Sequence, residues 1–194
     1  TAHALNAWKK QGHTLFTDQG IRMAINISAK SIDDLVFIDE FIAEVKQSGL
    51  SPTDFELELT ESMLAEHSDQ VADNIAALRA LGVSLSVDDF GTGYSSLAYL
   101  KRFPISTLKI DRAFVAELDA ANADNAIVLA IIAMARSLSL KVVAEGVEHE
   151  GQLNFLKANG CDEVQGYLIS KPLPLAELET YLSNREKPEG VAQA

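Results

Sequence analysis

Six short aliphatic stretches recur along the chain, and each ends in polar residues before an amphipathic segment follows. Short apolar stretches of this kind are typical of β-strands, whereas the segments between them have the apolar spacing of helices. Strands and helices that alternate in this way predict a parallel sheet in an α/β fold. The predicted strands are Arg22–Ser28, Phe55–Glu61, Ser84–Asp89, Thr107–Asp111, Val142–Glu145 and Glu163–Tyr167. The predicted helices are Ile32–Ser48, Ser68–Leu81, Ser95–Arg102, Asn125–Leu138, His149–Asn159 and Leu175–Leu182.

Within four of these strands, polar and apolar side chains alternate. In the third strand Ser84, Ser86 and Asp88 share one face, and Leu85 and Val87 share the other. A doubly wound sheet would be apolar on both faces, so one polar face favours a closed barrel with a polar interior. The polar groups gather at the carboxyl ends of the strands, where β/α barrels have their active sites. We expect a TIM-type (β/α)8 barrel with about six of its β/α units in this chain, because a complete barrel needs about 250 residues.

Composition narrows the function classes. The 194 residues include 28 acidic and 16 basic residues, and the formal net charge is -12. This charge argues against a protein that binds DNA or RNA through phosphates. The single Cys161 cannot form an internal disulfide, which fits a reducing compartment and a cytoplasmic protein. The longest apolar run, Ala126 to Ala135, is too short to span a bilayer, so no membrane segment is expected in this chain.

Several candidate ligands stand at the predicted strand ends. Carboxylates that converge on one barrel mouth repel each other unless cations neutralise them, and one lysine cannot balance four. Oxygen ligands suit Mg²⁺, Mn²⁺ or Ca²⁺, and two adjacent aspartates could bridge two metals in a site for phosphate-ester hydrolysis. Any one of these residues could instead cap a helix or lie in solvent, and only their recurrence on separate strands favours a site. The candidates are Asn26, Glu58, Asp88, Asp89, Lys109, Glu145 and Gln165.

The segment from Asp88 to Leu97 is the most specific in the sequence. Gly91 and Gly93 permit backbone conformations that other residues avoid, and Ser95 or Ser96 could cap the helix that follows. The triplet Asp-Phe-Gly also occurs in protein kinases. However, this chain has no glycine-rich phosphate loop and no His-Arg-Asp segment before the triplet, so the kinase interpretation fails.

Taken in order, the motifs of this chain resemble those of the EAL-domain family, bacterial phosphodiesterases that open cyclic di-GMP to linear pGpG. The resemblance extends from about Ala4 to Leu182. It implies a partial EAL domain over residues 1–183 and a flexible tail over residues 184–194. The matching motifs are Asn26-Ile-Ser28, Glu58-Leu-Thr-Glu61, Asp88-Asp-Phe-Gly-Thr-Gly93, Leu108-Lys-Ile-Asp111, Ala144-Glu-Gly-Val-Glu148, Gln165-Gly-Tyr and Ser170-Lys-Pro172.

The resemblance also implies a role for each site residue. Lys109 would contact the nucleophilic water and the phosphate, and Gln165 would lie beside the dinucleotide. Glu61 would brace the loop after Asp88, and Glu148 would have a supporting role. The implied cofactors are two Mg²⁺ or Mn²⁺ ions, with Ca²⁺ expected to inhibit. The implied metal ligands are Asn26, Glu58, Asp88, Asp89 and Glu145, the last of which could hold the metal or its water.

The Glu-Ala-Leu signature of the family is absent, and the chain begins at Thr1 without an initiator methionine. We therefore expect an N-terminally truncated domain with impaired activity. Cyclic di-GMP is the expected partner, with a homodimer and an upstream sensor or GGDEF-type domain in a parent protein that could itself be membrane-anchored. Three alternatives stay open: a non-catalytic cyclic di-GMP receptor, a regulatory scaffold domain and another metal-dependent barrel enzyme.

Overall fold

The computed structural model describes residue 6 and residues 22–34, 36–65, 68–91, 98–118 and 125–185. Within these ranges six strands form one sheet in sequence order, and each strand pairs in parallel with the next. The sheet curls into a half-barrel with helices packed on its outer side. The strands are β1 Met23–Asn26, β2 Phe55–Thr60, β3 Ser84–Phe90, β4 Thr107–Ile110, β5 Lys141–Glu145 and β6 Glu163–Gln165.

Helices separate successive strands in the described part of the chain. Three glycines follow helix ends with positive φ, as expected for helix C-termini: Gly49 at +74°, Gly82 at +93° and Gly160 at +79°. A short 3-10 helix, Pro52–Asp54, precedes β2. The α-helices are α1 Ala29–Ile32, α2 Phe37–Ser48, α3 Glu61–Ala65, α4 Asp69–Ala80, α5 Ala98–Arg102, α6 Arg112–Ala116, α7 Ala126–Ser137, α8 Glu150–Ala158 and α9 Leu175–Arg185.

The two faces of the sheet differ as the alternation predicts. Leu57, Leu85 and Leu108 point to the helix side and are 0% exposed. The same apolar core includes Ile75 of α4 and Leu156 of α8, which cover the sheet from outside. Burial of this continuous apolar layer is the main stabilising contribution to the half-barrel.

The opposite, polar face lines a concave cavity of about 540 Å³. Its middle strands contribute buried polar side chains, among them Ser86, Thr107 and Lys109. At the two outer strands the polar face is open, since Asn26 of β1 and Gln165 of β6 are both exposed. The concave side of the half-barrel is therefore the side on which the candidate ligands lie.

Some element boundaries differ from those expected. The predicted helix Ile32–Ser48 is interrupted between α1 and α2, and α9 continues to Arg185, beyond the predicted start of the tail at residue 184. The expected cap at Ser95 or Ser96 and the rest of the tail, residues 186–194, lie outside the described residues. None of the described helices is long and apolar enough to cross a membrane.

Candidate metal and phosphodiester site

A buried lysine lies between three carboxylates at the carboxyl edge of the sheet. Lys109 comes from β4 and is 4% exposed. Its Nζ lies 2.6 Å from Glu145 Oε1 of β5, 2.7 Å from Glu58 Oε1 of β2 and 3.0 Å from Asp88 Oδ1 of β3. The lysine thus holds together the ends of four consecutive strands.

Burial and neighbouring charges act in opposite directions on this lysine. Burial alone would lower the pKa of Lys109, but its bonds to Glu145, Glu58 and Asp88 raise the pKa above its usual range. The ammonium therefore stays charged at any physiological pH. Burial also raises the pKa of Glu145, and the nearby charges of Asp88 and Glu58 raise it further against the influence of Lys109.

A distortion in β3 places two adjacent aspartates on one site. In a regular strand Asp88 and Asp89 would point to opposite faces. The pairing of β3 with β4 shifts register between Val87 and Phe90, and Asp89 has a left-handed φ of +53°. Such a bulge turns side chains away from strict alternation. As a result, one carboxylate oxygen from each of Asp88, Asp89 and Glu145 lies within 4.8 Å of the others.

The donor set fits a hard divalent cation. Asp88, Asp89, Glu145 and Glu58 supply four carboxylates against the single ammonium of Lys109, so the ionised site keeps a negative excess. The buried Oδ1 of Asp88 accepts no well-aligned hydrogen bond from the described residues, although Lys109 Nζ is 3.0 Å away. Carboxylate oxygens in this arrangement are ligands that Mg²⁺, Mn²⁺ and Ca²⁺ prefer.

The other predicted site residues lie around this cluster. Asn26 ends β1 opposite Glu58, and Gln165, which lines the cavity, ends β6 opposite Glu145. Glu61 is 3% exposed, and its Oε2 accepts a hydrogen bond of 3.0 Å from the N–H of Gly91, directly after β3. Glu148 is exposed and lies in the loop after β5, beyond the cluster itself.

The family of this chain follows from a sequence comparison. The profile of the family described as EAL domain matches residues 1–172. The chain belongs to the EAL domain family. Two relatives from Pseudomonas aeruginosa agree with that assignment. The cyclic di-GMP phosphodiesterase NbdA is 52% identical over 162 residues, which cover 84% of this chain and 21% of NbdA. The bifunctional diguanylate cyclase/cyclic di-GMP phosphodiesterase MucR is 42% identical over 174 residues, which cover 90% of this chain and 25% of MucR.

Solved EAL structures have the same architecture. The MucR phosphodiesterase in complex with c-di-GMP has a TM-score of 0.83 and 42% identity, over 91% of this chain and 70% of that one. The manganese and cyclic di-GMP complex of Klebsiella pneumoniae BlrP1 has a TM-score of 0.70 and 29% identity, over 86% of this chain and 44% of that one. These matches confirm the predicted EAL barrel fold. The chain spans only about a fifth to a quarter of the curated relatives' length.

Asp111 interacts with Asp89 of the cluster, a contact that the sequence motif alone did not predict. It follows β4, and its Oδ1 caps α6 by accepting a hydrogen bond of 2.7 Å from the N–H of Ala113. Asp89 is exposed, and its pKa is raised first by partial desolvation, then by the charge of Asp88 and by a side-chain hydrogen bond with Asp111. The signal was present in the sequence, because Lys109 and Asp111 both stand at the carboxyl end of one strand.

Proposed function

We propose that this EAL domain hydrolyses one phosphodiester bond of cyclic di-GMP to give linear pGpG. The observation that carries the proposal is the bulge in β3, which brings Asp88 and Asp89 together with Glu145 and beside the buried Lys109. The relatives named cyclic di-GMP phosphodiesterases support this choice of substrate. The adjacent Asp88 and Asp89, together with Lys109, favour an enzyme over a receptor that only binds.

Two divalent cations, Mg²⁺ or Mn²⁺, fit the oxygen donors of this site. Asn26, Glu58, Asp88, Asp89 and Glu145 would hold them. Bound there, the cations would polarise the phosphodiester and lower the pKa of the attacking water. The acidic cluster of this chain and the calcium and manganese complexes of BlrP1 support the use of divalent cations.

The remaining residues would contact the water and the substrate or support the loops around the site. Lys109 would hold the attacking water and offset the negative charge that builds on the phosphate, once divalent cations bind the carboxylate oxygens that its ammonium now contacts. Gln165, at the open rim, would contact the dinucleotide. Glu61 would fix the start of the loop after β3 through Gly91, and Glu148 would support the loop after β5.

The chain would act as one module of a larger protein. Its short coverage of NbdA and MucR supports an arrangement with further domains, and the bifunctional name of MucR favours a diguanylate cyclase or sensor module among them. A homodimer of the EAL module is part of the same proposal.

The test is turnover of cyclic di-GMP by the full-length protein, with chromatographic detection of pGpG. We expect hydrolysis with Mg²⁺ or Mn²⁺ and inhibition by Ca²⁺. Asp88→Asn should abolish turnover because it removes the Asp88 carboxylate from the proposed two-metal site. Calorimetric binding of the dinucleotide should partly survive in the same variant. Near-normal hydrolysis by Asp88→Asn would disprove the two-metal assignment, and binding without hydrolysis by the wild type would favour the receptor.

A further inference from the structure

Gln152 is a buried amide whose hydrogen bonds all go to backbone groups. It lies in the first turn of α8 and is 6% exposed. Its Oε1 accepts hydrogen bonds from the N–H groups of Glu148, at 2.8 Å, and His149, at 3.0 Å. Its Nε2 donates to the carbonyl of Val115 at 3.0 Å. The side chain thus uses its oxygen fully and directs one N–H to a different part of the fold.

Helix capping explains only part of this arrangement. A glutamine at the third position of a helix commonly accepts a hydrogen bond from the residue before the helix, and Gln152 does so with His149. The bond to Val115 has no such local purpose, because Val115 lies 37 residues earlier, in α6. Gln152 therefore joins α8 to a helix that follows a different strand.

The two segments that Gln152 joins come directly after the strands that carry the lysine and a carboxylate of the site. Helix α6 directly follows β4 and Lys109, whereas the loop from Gly146 to His149 directly follows Glu145. The two segments are in close contact, since a Cβ placed on Gly146, where φ is +70°, would lie 2.6 Å from Arg112 Cβ. The other side of the loop is fixed by the Val147 N–H, which donates to the Gln165 carbonyl at 3.1 Å.

We propose that Gln152 is a positioning residue that holds Glu145 in place for metal binding and hydrolysis. It does so by tying the loop after Glu145 to α6, so that Glu145 keeps its distance from Lys109 and from Asp88. The part of this proposal that concerns hydrolysis rests on the proposed function. The part that concerns metal binding rests only on the hydrogen bonds and contacts described above. Residues that orient metal ligands change metal affinity or activity by about 10- to 100-fold when they are replaced.

The decisive variant is Gln152→Glu in the full-length protein. A glutamate at this position still accepts from the two N–H groups and suits the positive end of the helix, so α8 keeps its cap. A carboxylate has no hydrogen to donate to Val115 and places a negative oxygen against its carbonyl, so the link to α6 is lost. Asn159→Asp is the matched control, because Asn159 donates to the Phe155 carbonyl at 2.8 Å at the far end of the same helix.

Three quantities are measured for each variant: the Kd for Mn²⁺, the kcat and KM for cyclic di-GMP, and the Tm. We expect Gln152→Glu to raise the Mn²⁺ Kd and lower kcat by about 10-fold or more, with KM changed by less than about threefold. Both variants should lower Tm by a similar amount. Asn159→Asp should leave the Mn²⁺ Kd and kcat unchanged.

Two results would overturn the proposal: a Mn²⁺ Kd in Gln152→Glu equal to that of the wild type, or the same change in both variants. A wild-type protein that binds Mn²⁺ but hydrolyses no cyclic di-GMP would refute the proposed function. In that case the Mn²⁺ affinities of the two variants alone decide whether Gln152 positions Glu145.

Discussion

Lys109 is the residue on which the electrostatic balance of the site depends. Its ammonium contacts Glu58, Asp88 and Glu145 at 2.6 to 3.0 Å, and hardly any of its side chain reaches solvent. A buried charge that loses its partner is far more costly than an exposed one. The three carboxylates would therefore repel each other strongly in a protein that lacks both the lysine and a divalent cation.

This gives a prediction for Lys109→Met. Without metal, we expect the free energy of unfolding to fall by about 3–5 kcal/mol, because the carboxylates lose their buried cation. Mn²⁺ should recover much of that loss, since it binds the folded state only. Urea unfolding in EDTA and in Mn²⁺ measures both effects. Lys141→Met is the control: its pair with Glu163 at 3.3 Å is well exposed, and about 1 kcal/mol or less should be lost.

Asp89 gives a prediction with a pH dependence. Although Asp89 is exposed, its partial desolvation, followed by the charge of Asp88, raises its pKa in the folded protein above the unfolded value of about 3.9. Its contribution to stability is therefore present below about pH 4 and is lost as the pH rises through the raised pKa. Asn keeps the left-handed backbone conformation but carries no charge. Metal-free Asp89→Asn should be at least as stable as the wild type at pH 7, with a smaller advantage near pH 4.5.

Urea unfolding in EDTA at the two pH values tests this expectation. In Mn²⁺ the order should reverse, because the variant has lost a carboxylate ligand and gains less stability from the metal. An Asp89→Asn protein that is less stable than the wild type at pH 7 without metal would show that the charge of Asp89 does not destabilise the metal-free fold.

At the scale of the elements, the bulge in β3 depends on how α6 packs against it. Gly91 follows the bulge with φ +97°, and a Cβ on this residue would lie 2.9 Å from Phe114 Cε2 of α6. The N–H of Gly91 is also held by Glu61. The position of the two aspartates is therefore fixed by a glycine, an aromatic ring and a carboxylate from three different elements.

Gly91→Ala should destabilise the protein by about 1–3 kcal/mol and weaken Mn²⁺ binding, because alanine is strained at positive φ and also meets Phe114. Adding Phe114→Leu should relieve the contact but leave the backbone strain, so stability should recover only in part. Gly151→Ala is the control: nothing lies within 4 Å of its Cβ position, and alanine inside α8 should stabilise by about 0.5–1 kcal/mol. Thermal unfolding and Mn²⁺ titration of the wild type, the two Gly91→Ala proteins and Gly151→Ala test these expectations.

The sequence predicts the elements well where local periodicity determines them. Strands β2, β3, β4 and β6 begin at the expected residue, and each predicted strand is present. The helix expected at Ile32–Ser48 is interrupted at the point where Asn74 of α4 donates to the carbonyls of Ile32 and Asp34. That partner is about 40 residues away, so no local pattern contains it.

The candidate site shows the same division. The clustering of the candidate residues could be predicted because strands in a parallel sheet bring their carboxyl ends to one edge. The bulge could not, since the sequence Val87-Asp-Asp-Phe90 gives no sign that alternation fails there. Short helices such as α3 and α6 were also missed, because one turn is too short to show a period.

For the whole molecule, the important feature is a sheet with two outer strands. Among the described residues, β1 and β6 each pair on one side only. An unpaired strand edge offers free backbone groups to another chain. The apolar Tyr167 and Ile169, which follow β6, are 59% and 40% exposed beside this edge.

We therefore expect the 194-residue chain, expressed by itself, to form oligomers or aggregates, whereas the full-length protein should not aggregate. Light scattering during size-exclusion chromatography measures the mass of each species. A stable monomer of the isolated chain would contradict this expectation and would mean that the edges are covered by residues outside the described ranges.

The contact between Lys109 and three carboxylates also affects how a divalent cation can bind to the site. The ammonium is a tethered counter-ion, so Glu58, Asp88 and Glu145 do not face water as bare anions even before a divalent ion arrives. An incoming ion must compete with that ammonium for the same oxygen lone pairs. Metal binding therefore replaces the lysine ammonium by a free divalent cation at the same oxygens. The affinity for the metal is set by the difference between the free energies with which the carboxylates bind these two cations.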